Sequence, residues 1–325
     1  AGFNALKATS TQKTAPFSLP QGLNLGEGAG FWVVEEEKGA VERGVEVAGE
    51  VMGYAFAADA HHPTAPDPRG DGAYRTMKKS LERASVTLSD LGCISAHGTG
   101  TEANDRTETK ALKKLLGDLS VPVHSLKSQV GHCLGAAGIL EATAALVAMR
   151  NDTIPATVNF TEPRPGCDLD YVPNHPQKRE YDAFLSCNYA FGGNNAGVVV
   201  GKYDHQRGSQ SNLDSKLRTV FTGGSAITSL GIGALELIEA LDSRKRGLVS
   251  NRERVEGNVE STVAGFVQDF SNGDIDRRID FRGMNRISKY ATAAARLALS
   301  DAGIRVGPKE GLVTGIVNGV YAGPD

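Results

Sequence analysis

The chain has 325 residues, a formal net charge of −3 and 40% hydrophobic residues. Its charged content of 22% and its 39 glycines are typical of a folded α/β protein and exclude disordered, collagen-like and fibrous classes. The small net charge gives no reason to expect nucleic-acid binding, and no apolar run approaches the ~20 residues of a membrane-spanning helix.

Cysteine usage and the first residues bear on the cellular setting. Cys93, Cys133, Cys167 and Cys187 show no CxxC spacing, and a chain of this size does not need a disulfide framework. We therefore expect a cytoplasmic protein. The opening AGFNALKATS lacks both a secretory signal pattern and an initiating methionine, so we expect a fragment of a longer protein.

The first predicted strands are residues 28–35 and 45–56, which are rich in β-branched and aromatic residues and separated by glycine breaks. GxG spacing in the preceding LNLGEGAG suggests a dinucleotide-binding loop. Close approach of two backbones is the better interpretation, because these glycines precede a strand and do not open a helix after one.

A polar, proline-rich loop, DAHHPTAPDPRGDG, follows at residues 59–72, and a helix is predicted from about Ala73 to Ala84. The adjacent His61 and His62 suggest a metal site. Neighbouring loop residues seldom point at one ion, and no carboxylate lies at ligand-like spacing, so we predict no bound metal.

Titratable residues concentrate in residues 94–141. Twice a strand-like run brings such residues to a glycine-rich turn before a helix: His97 in the first unit, Lys127 and His132 in the second. Open α/β sheets usually build their sites at these strand ends. We therefore predict one site that contains two imidazoles and an ammonium.

The later elements alternate between short strands, a polar segment and a new strand–turn–helix unit. We predict short extended pieces at 154–160 and 168–174, a hairpin at 183–203 and a linker at 204–216. A strand–glycine turn–helix unit is predicted at 217–247, a helix at 286–304 and a strand at 311–320. A dinucleotide fold is the rival interpretation of 217–247, but no acidic residue ends a second strand at the expected distance.

Four motifs resemble those of one enzyme family. HGTGT at 97–101, SLKSQVGH at 125–132, LGAAGILE at 134–141 and NYAFGGNNA at 188–196 resemble the second half of an elongating β-ketoacyl-acyl-carrier-protein synthase of the thiolase superfamily. Four ordered motifs make a far more specific signal than any one of them. The resemblance implies an incomplete thiolase-like α/β fold with αβαβα layers.

Residues 217–325 resemble the beginning of the same family, which implies an unusual order. We predict that residues 1–203 are the C-terminal part of one ketosynthase domain, 204–216 a linker, and 217–325 the N-terminal part of a second ketosynthase-like domain. A circular permutation is the alternative. It is less favoured because the missing stretch includes the segment in which this family carries its nucleophile.

The family reaction is a decarboxylating Claisen condensation of malonyl-acyl-carrier protein with an acyl thioester, in fatty-acid or polyketide synthesis. The resemblance implies that His97 and His132 are the paired catalytic histidines that stabilise the enolate oxygen, and that Lys127 is the family lysine. It also implies substrate-binding roles for Thr99 and Thr101 at the pantetheine amides, Thr64 at the pantetheine entrance, Phe191 as a gate and Tyr189 beside the acyl pocket.

A buried ammonium needs carboxylate partners, and Glu141, Asp105 and Glu108 are the candidates. We expect them to hold the lysine and histidines in orientation; a buried ion-pair cluster that only locks two helices is the alternative. None of the four cysteines opens a small-residue helix, where a thiol pKa would be lowered, so we predict no nucleophile in this chain.

The implied partner is acyl carrier protein, whose phosphopantetheine carries the substrates; no other cofactor is expected. Because carrier proteins are acidic, basic residues are docking candidates, with ordinary solvated charge as the alternative: Lys7, Arg277, Arg278, Arg282, Arg286 and Lys289. A homodimer or a ketosynthase/chain-length-factor-type pseudo-dimer is also implied. A degradative thiolase and a non-catalytic chain-length-factor-like partner are the alternative functions.

Overall fold

The computed structural model describes residues 2–204, 218–254 and 261–304, and the backbone of 319–321. The predicted linker 204–216 beyond its first residue, and most of the predicted strand 311–320, lie outside the described residues. The helices are α1 Gly2–Ala5, α2 Glu37–Glu42, α3 Asp71–Ala84, α4 Glu102–Leu116, α5 Lys127–Val130, α6 Ala137–Arg150, α7 Ala234–Asp242, α8 Asn272–Ile275 and α9 Arg286–Asp301. The strands are β1 Gly28–Glu36, β2 Gly49–Ala58, β3 Leu91–Ser95, β4 Val123–His124, β5 Thr153–Ile154, β6 Gln177–Lys178, β7 Ala183–Ala190, β8 Asn194–Gly201, β9 Thr219–Thr228, β10 Gly231–Ile232, β11 Leu248–Ser250, β12 Val263–Gly265 and β13 Gly319–Tyr321.

One mixed sheet organises the described residues. Its strand order is β13-β1-β9-β2-β8-β7-β3-β4, and β10 pairs with β9. The pairs β1–β9, β2–β8 and β7–β8 are antiparallel, whereas β3 runs parallel to both β7 and β4. This mixed sheet with helices confirms the predicted α/β class, and the hairpin predicted at 183–203 is formed by β7 and β8.

Alternating residues of β7 and β8 bury against helices on opposite faces of the sheet. Leu185 and Val199 belong to a cluster with α3 and α4, whereas Phe184 and Val200 pack with residues of α6. Successive strand residues point to opposite faces, so this part of the sheet lies between two helix layers. Ten of the 14 residues of α6 are buried, which is expected of a helix enclosed by protein on most sides.

The segment after the predicted linker packs into the same sheet as the segment before it. Strand β9 lies between β1 and β2, and the register of β1 with β9 runs from Gly28 opposite Thr228 to Glu36 opposite Thr219. The backbone N–H of Gly265 donates to Leu25 (2.9 Å). Within this chain the two segments therefore share one core. The assignment of 1–203 and 217–325 to two successive domains stays a prediction.

The packing of α9 on β9 leaves no room for a side chain at Gly223. A Cβ there would lie 2.5 Å from the carbonyl oxygen of Ala298 and 2.5 Å from the nitrogen of Ala302. We expect Gly223→Val to lower the free energy of unfolding by about 1–3 kcal/mol, the usual cost of overpacking. Denaturant unfolding checks this, with Gly39→Ala as control because nothing lies within 4 Å of a Cβ at Gly39. Equal stability of the two variants would contradict the packing of α9 on β9.

His124 on β4 is a buried imidazole, and neither ring nitrogen has a hydrogen-bond partner in the part of the chain that the structure describes. Burial lowers its pKa from 6.5 to about 4. Between these values the unfolded chain binds a proton that the folded protein does not. Stability is therefore lost as the pH falls from 6.5 towards 4.

We expect His124→Leu to remove this acid sensitivity. Between pH 7 and pH 5 the wild-type chain should lose about 2 kcal/mol more stability than the variant, from 1.36 kcal/mol per pH unit. Denaturant unfolding at both pH values measures the difference, and His61→Leu is the control because His61 is exposed. The same difference in free energy of unfolding between wild type and His124→Leu at both pH values would contradict the prediction.

Candidate active site

His97 lies in the loop between β3 and α4, and a carboxylate from α4 holds that loop. The backbone N–H groups of His97 and Gly98 donate to the two carboxylate oxygens of Glu108, each at 2.8 Å. Gly98 and Gly100 have φ of 37° and 83°, in the left-handed region that favours glycine. The HGTGT motif is thus a tight turn that places the His97 ring beyond the strand end.

Asp105 holds the same loop from one turn earlier on α4. Its carboxylate accepts from the backbone N–H of Phe17 (2.7 Å) and of Gly100 (3.2 Å), and the Arg164 guanidinium lies 3.5 Å away. Burial raises the pKa of Asp105 to about 6 and that of Glu108 to about 7. Asp105 and Glu108 were candidates to pair with Lys127, but the hydrogen bonds show both holding backbone.

Lys127 is 1% exposed and donates its ammonium to acceptors on three sides. Nζ contacts the carboxylate of Glu141, the backbone oxygen of His97 (2.5 Å) and Nδ1 of the same ring (3.4 Å). An ammonium has three donors, so these contacts satisfy it although it is buried. Of the three predicted carboxylate partners, Glu141 is the one that forms an ion pair with Lys127.

The rings of His97 and His132 meet edge to face, with centroids 5.5 Å apart and planes at 83°. Nδ1 of His132 accepts from the backbone N–H of Leu134 (3.2 Å), and Nδ1 of His97 faces the Lys127 ammonium. A neutral imidazole whose Nδ1 accepts carries its proton on Nε2. The hydrogen-bond network thus assigns the Nε2–H tautomer to both rings.

Both imidazoles stay neutral at pH 7. Burial, with the nearby Lys127 charge, lowers the pKa of His132 to about 3 and places that of His97 well below its ordinary value. Each ring therefore offers an N–H donor without a positive charge. Such a pair can stabilise negative charge that develops on an oxygen between or beside the rings.

The predicted substrate-binding residues lie at different depths. The hydroxyls of Thr99 and Thr101 are 2.9 Å apart. Thr99, two residues after His97, is buried. The Tyr189 ring centroid lies 5.6 Å from that of His97. Phe191 is 51% exposed, and Thr64 lies on an exposed loop where its N–H donates to Nδ1 of His62 (3.1 Å).

Two residues near the histidines were not predicted from the sequence. The Phe3 ring lies near those of Phe191 and His132, with centroid distances of 5.7 Å and 6.4 Å. The Asn188 side chain donates to Glu141 (3.2 Å). Phe3 stands far from every motif in the sequence, so no local signal marks it. Asn188 opens the NYAFGGNNA motif, and that position was the available signal.

All four cysteines are buried and free. Burial raises the pKa of the Cys93 and Cys133 thiols to about 12 and also raises those of Cys167 and Cys187. Thiols of this kind stay protonated at neutral pH and are poor nucleophiles.

Part of this chain is similar to known proteins. Residues 48–161 match the beta-ketoacyl synthase C-terminal domain. The 3-oxoacyl-[acyl-carrier-protein] synthase 2 of Synechocystis is 40% identical over 212 residues, which cover 62% of this chain and 51% of that protein. The ishigamide ketosynthase/chain length factor aligns with a TM-score of 0.59 and 37% identity, over 62% of this chain and 50% of that one. A type II polyketide ketosynthase, solved in complex with its acyl-carrier protein, aligns with a TM-score of 0.57 and 30% identity, over 62% of this chain and 52% of that one.

The chain thus spans about half the length of the relatives it matches. The matched range 48–161 contains His97, Lys127, His132 and Glu141, and its structural neighbours are ketosynthases with a thiolase-like fold. Residues 48–161 are therefore similar to the beta-ketoacyl synthase C-terminal domain, and the wider chain is similar to one half of the ketosynthases compared.

Proposed function

We propose that the protein containing this chain is an elongating β-ketoacyl-acyl-carrier-protein synthase. It condenses malonyl-acyl-carrier protein with an acyl thioester, with loss of carbon dioxide, in fatty-acid or polyketide synthesis. The observation that carries the proposal is the adjacent pair of neutral imidazoles, His97 and His132, both of which keep Nε2–H as a donor.

The chemistry follows from where negative charge develops. When malonyl thioester loses its carboxylate as carbon dioxide, the electron pair of the broken C–C bond passes to the α-carbon and the thioester oxygen. Two Nε2–H donors stabilise that enolate oxygen without giving up a proton. The α-carbon then attacks an acyl thioester carbon and expels the thiolate that carried the acyl group. No cysteine of this chain is placed to be that thiolate.

Lys127 has two electrostatic effects in this scheme. Its ammonium opposes protonation of both imidazoles, so the donors stay neutral, and it fixes the His97 tautomer through Nδ1. Its positive field also favours the enolate over the neutral thioester. Glu141 offsets the cost of burying this charge.

Substrates would reach the pair on the phosphopantetheine of a carrier protein. Thr64, Thr99 and Thr101 are the proposed contacts for that arm, and no other cofactor is proposed. On the acyl side, Tyr189 and Phe191 are the proposed contacts, together with Phe3, because its ring lies near the rings of both Phe191 and His132.

Acyl carrier protein is the proposed partner, supported by the solved ketosynthase that binds its own carrier protein. Several predicted docking cations already pair within the chain: Arg278 with Asp276 and Arg282 with Asp280 at 2.7 Å and 2.8 Å, and Arg286 with Glu27. Lys289 lies over the Phe270 ring at 4.3 Å. The exposed Lys7 and Arg277 are therefore the better docking candidates.

The setting of the protein is proposed from its family resemblance. A homodimer or a ketosynthase/chain-length-factor-type pseudo-dimer in the cytoplasm is the proposed assembly. Among the described residues, no helix is both long and apolar enough to cross a membrane.

We expect His97→Ala and His132→Ala each to slow decarboxylation of malonyl thioester by the full-length protein about 100- to 1,000-fold. The reason is the loss of one of two oxyanion donors, which typically costs roughly 3–4 kcal/mol. Release of carbon dioxide measures the rate, and His61→Ala is the control on an exposed loop. Rates within threefold of wild type for both variants would refute the proposed roles.

The 325-residue chain alone is expected to form no acyl-enzyme and no β-ketoacyl product. Its four thiols are buried and have raised pKa values, so none is available as a thiolate near pH 7. Intact mass after incubation with an acyl thioester tests the first point, and product analysis with malonyl-acyl-carrier protein tests the second. Detection of a β-ketoacyl product would overturn this expectation.

A further inference from the structure

Four polar side chains at the histidine pair form a series of contacts from His97 to Asn188. His97 Nδ1 lies 3.4 Å from Lys127 Nζ, and Lys127 pairs with one carboxylate oxygen of Glu141. The other oxygen of Glu141 accepts from Asn188 Nδ2 (3.2 Å). This series of contacts joins β7, α5, α6 and the loop after β3.

The position of Asn188 depends on how closely α6 approaches β7. A Cβ at Gly138 would lie 3.5 Å from the amide carbon and from Nδ2 of Asn188, so the amide lies directly against the helix backbone. Glu141 follows Gly138 by three residues and therefore projects from the same face of α6. This face presents no side chain at 138 and a carboxylate at 141, which accommodates one short amide.

The amide group of Asn188 matches the carboxylate that it contacts. Nδ2 can only donate, and the ionised carboxylate of Glu141 can only accept. A hydrophobic side chain at position 188 could not donate to this oxygen, so one end of Glu141 would lose its partner.

We propose that Asn188 is a positioning residue that fixes the Glu141 carboxylate on the Lys127 ammonium and, through Lys127, orients the His97 ring. The effect of Asn188 on catalysis rests on the proposed condensing function, whereas its contact with Glu141 does not. With Glu141 held at both oxygens, the ammonium stays beside Nδ1 of His97 and the ring keeps its proton on Nε2.

The test uses the 325-residue chain with ¹⁵N- and ¹³C-labelled histidine and glutamate. In Asn188→Leu, which keeps a similar volume and removes both hydrogen-bonding ends, we expect the His97 imidazole ¹⁵N resonances to move while those of His132 stay. The Glu141 carboxyl should titrate at higher pH, since the bond from Asn188 favours its ionised form. The control is Asn151→Leu, because Asn151 is an exposed residue after α6 whose Nδ2 donates to the Val147 oxygen (2.8 Å).

Two results would overturn the proposal. Unchanged His97 and Glu141 resonances in a folded Asn188→Leu chain would show that Asn188 positions neither group. Equal movement of the His97 and His132 resonances would show general structural support and no specific positioning. Asn188→Ala provides the same readout if the leucine variant does not fold.

The consequence for catalysis is measured separately in the full-length protein. There Asn188→Leu should lower kcat for malonyl decarboxylation about tenfold with little change in KM, as expected when an interaction made in the transition state is weakened. A wild-type protein without decarboxylase activity would refute the proposed function and leave the resonance test standing. An unchanged kcat beside moved His97 resonances would refute the positioning role.

Discussion

The site is built around the burial of one ammonium. Removal of a charge from water is costly unless every donor finds an acceptor, and Lys127 meets this condition with Glu141, the His97 backbone oxygen and the His97 ring. Two of these three acceptors belong to His97, so the lysine cannot be satisfied unless the loop after β3 is in place. The charge thereby couples the orientation of His97 to the packing of α5 against α6.

The loop itself depends on two further buried carboxylates with a different task. Glu108 binds the N–H groups of His97 and Gly98, and Asp105 binds those of Gly100 and Phe17. A backbone turn rich in glycine is entropically costly to fix, and hydrogen bonds to a carboxylate are among the stronger ones that can fix it. The carboxylates near Lys127 thus divide into one that offsets charge and two that shape backbone.

Local patterns were sufficient to predict the histidine pair and the lysine, because each lies at a fixed place between a strand end and a helix start. They could not predict which carboxylate faces Lys127, since α4 and α6 both carry candidates. Only the packing of α5 against α6 brings Glu141 to Lys127. Phe3 and Asn188 meet the site through contacts between distant segments. The same holds for β9: a polar segment suggested a boundary, but strand pairing with β1 is non-local and leaves no local signal.

The proposed reaction requires both imidazoles to be neutral, and their burial keeps them so. A protonated histidine would be a stronger donor, but it would also transfer its proton to the enolate carbon or oxygen and end the condensation. Burial and the Lys127 charge both disfavour that state, so His97 and His132 remain donors that keep their protons. A neutral imidazole forms a weaker hydrogen bond than a protonated one. Two neutral donors offset this difference, because both can act on one oxygen in a site of low polarity. The cationic lysine therefore contributes by keeping its neighbours neutral as much as by its own charge.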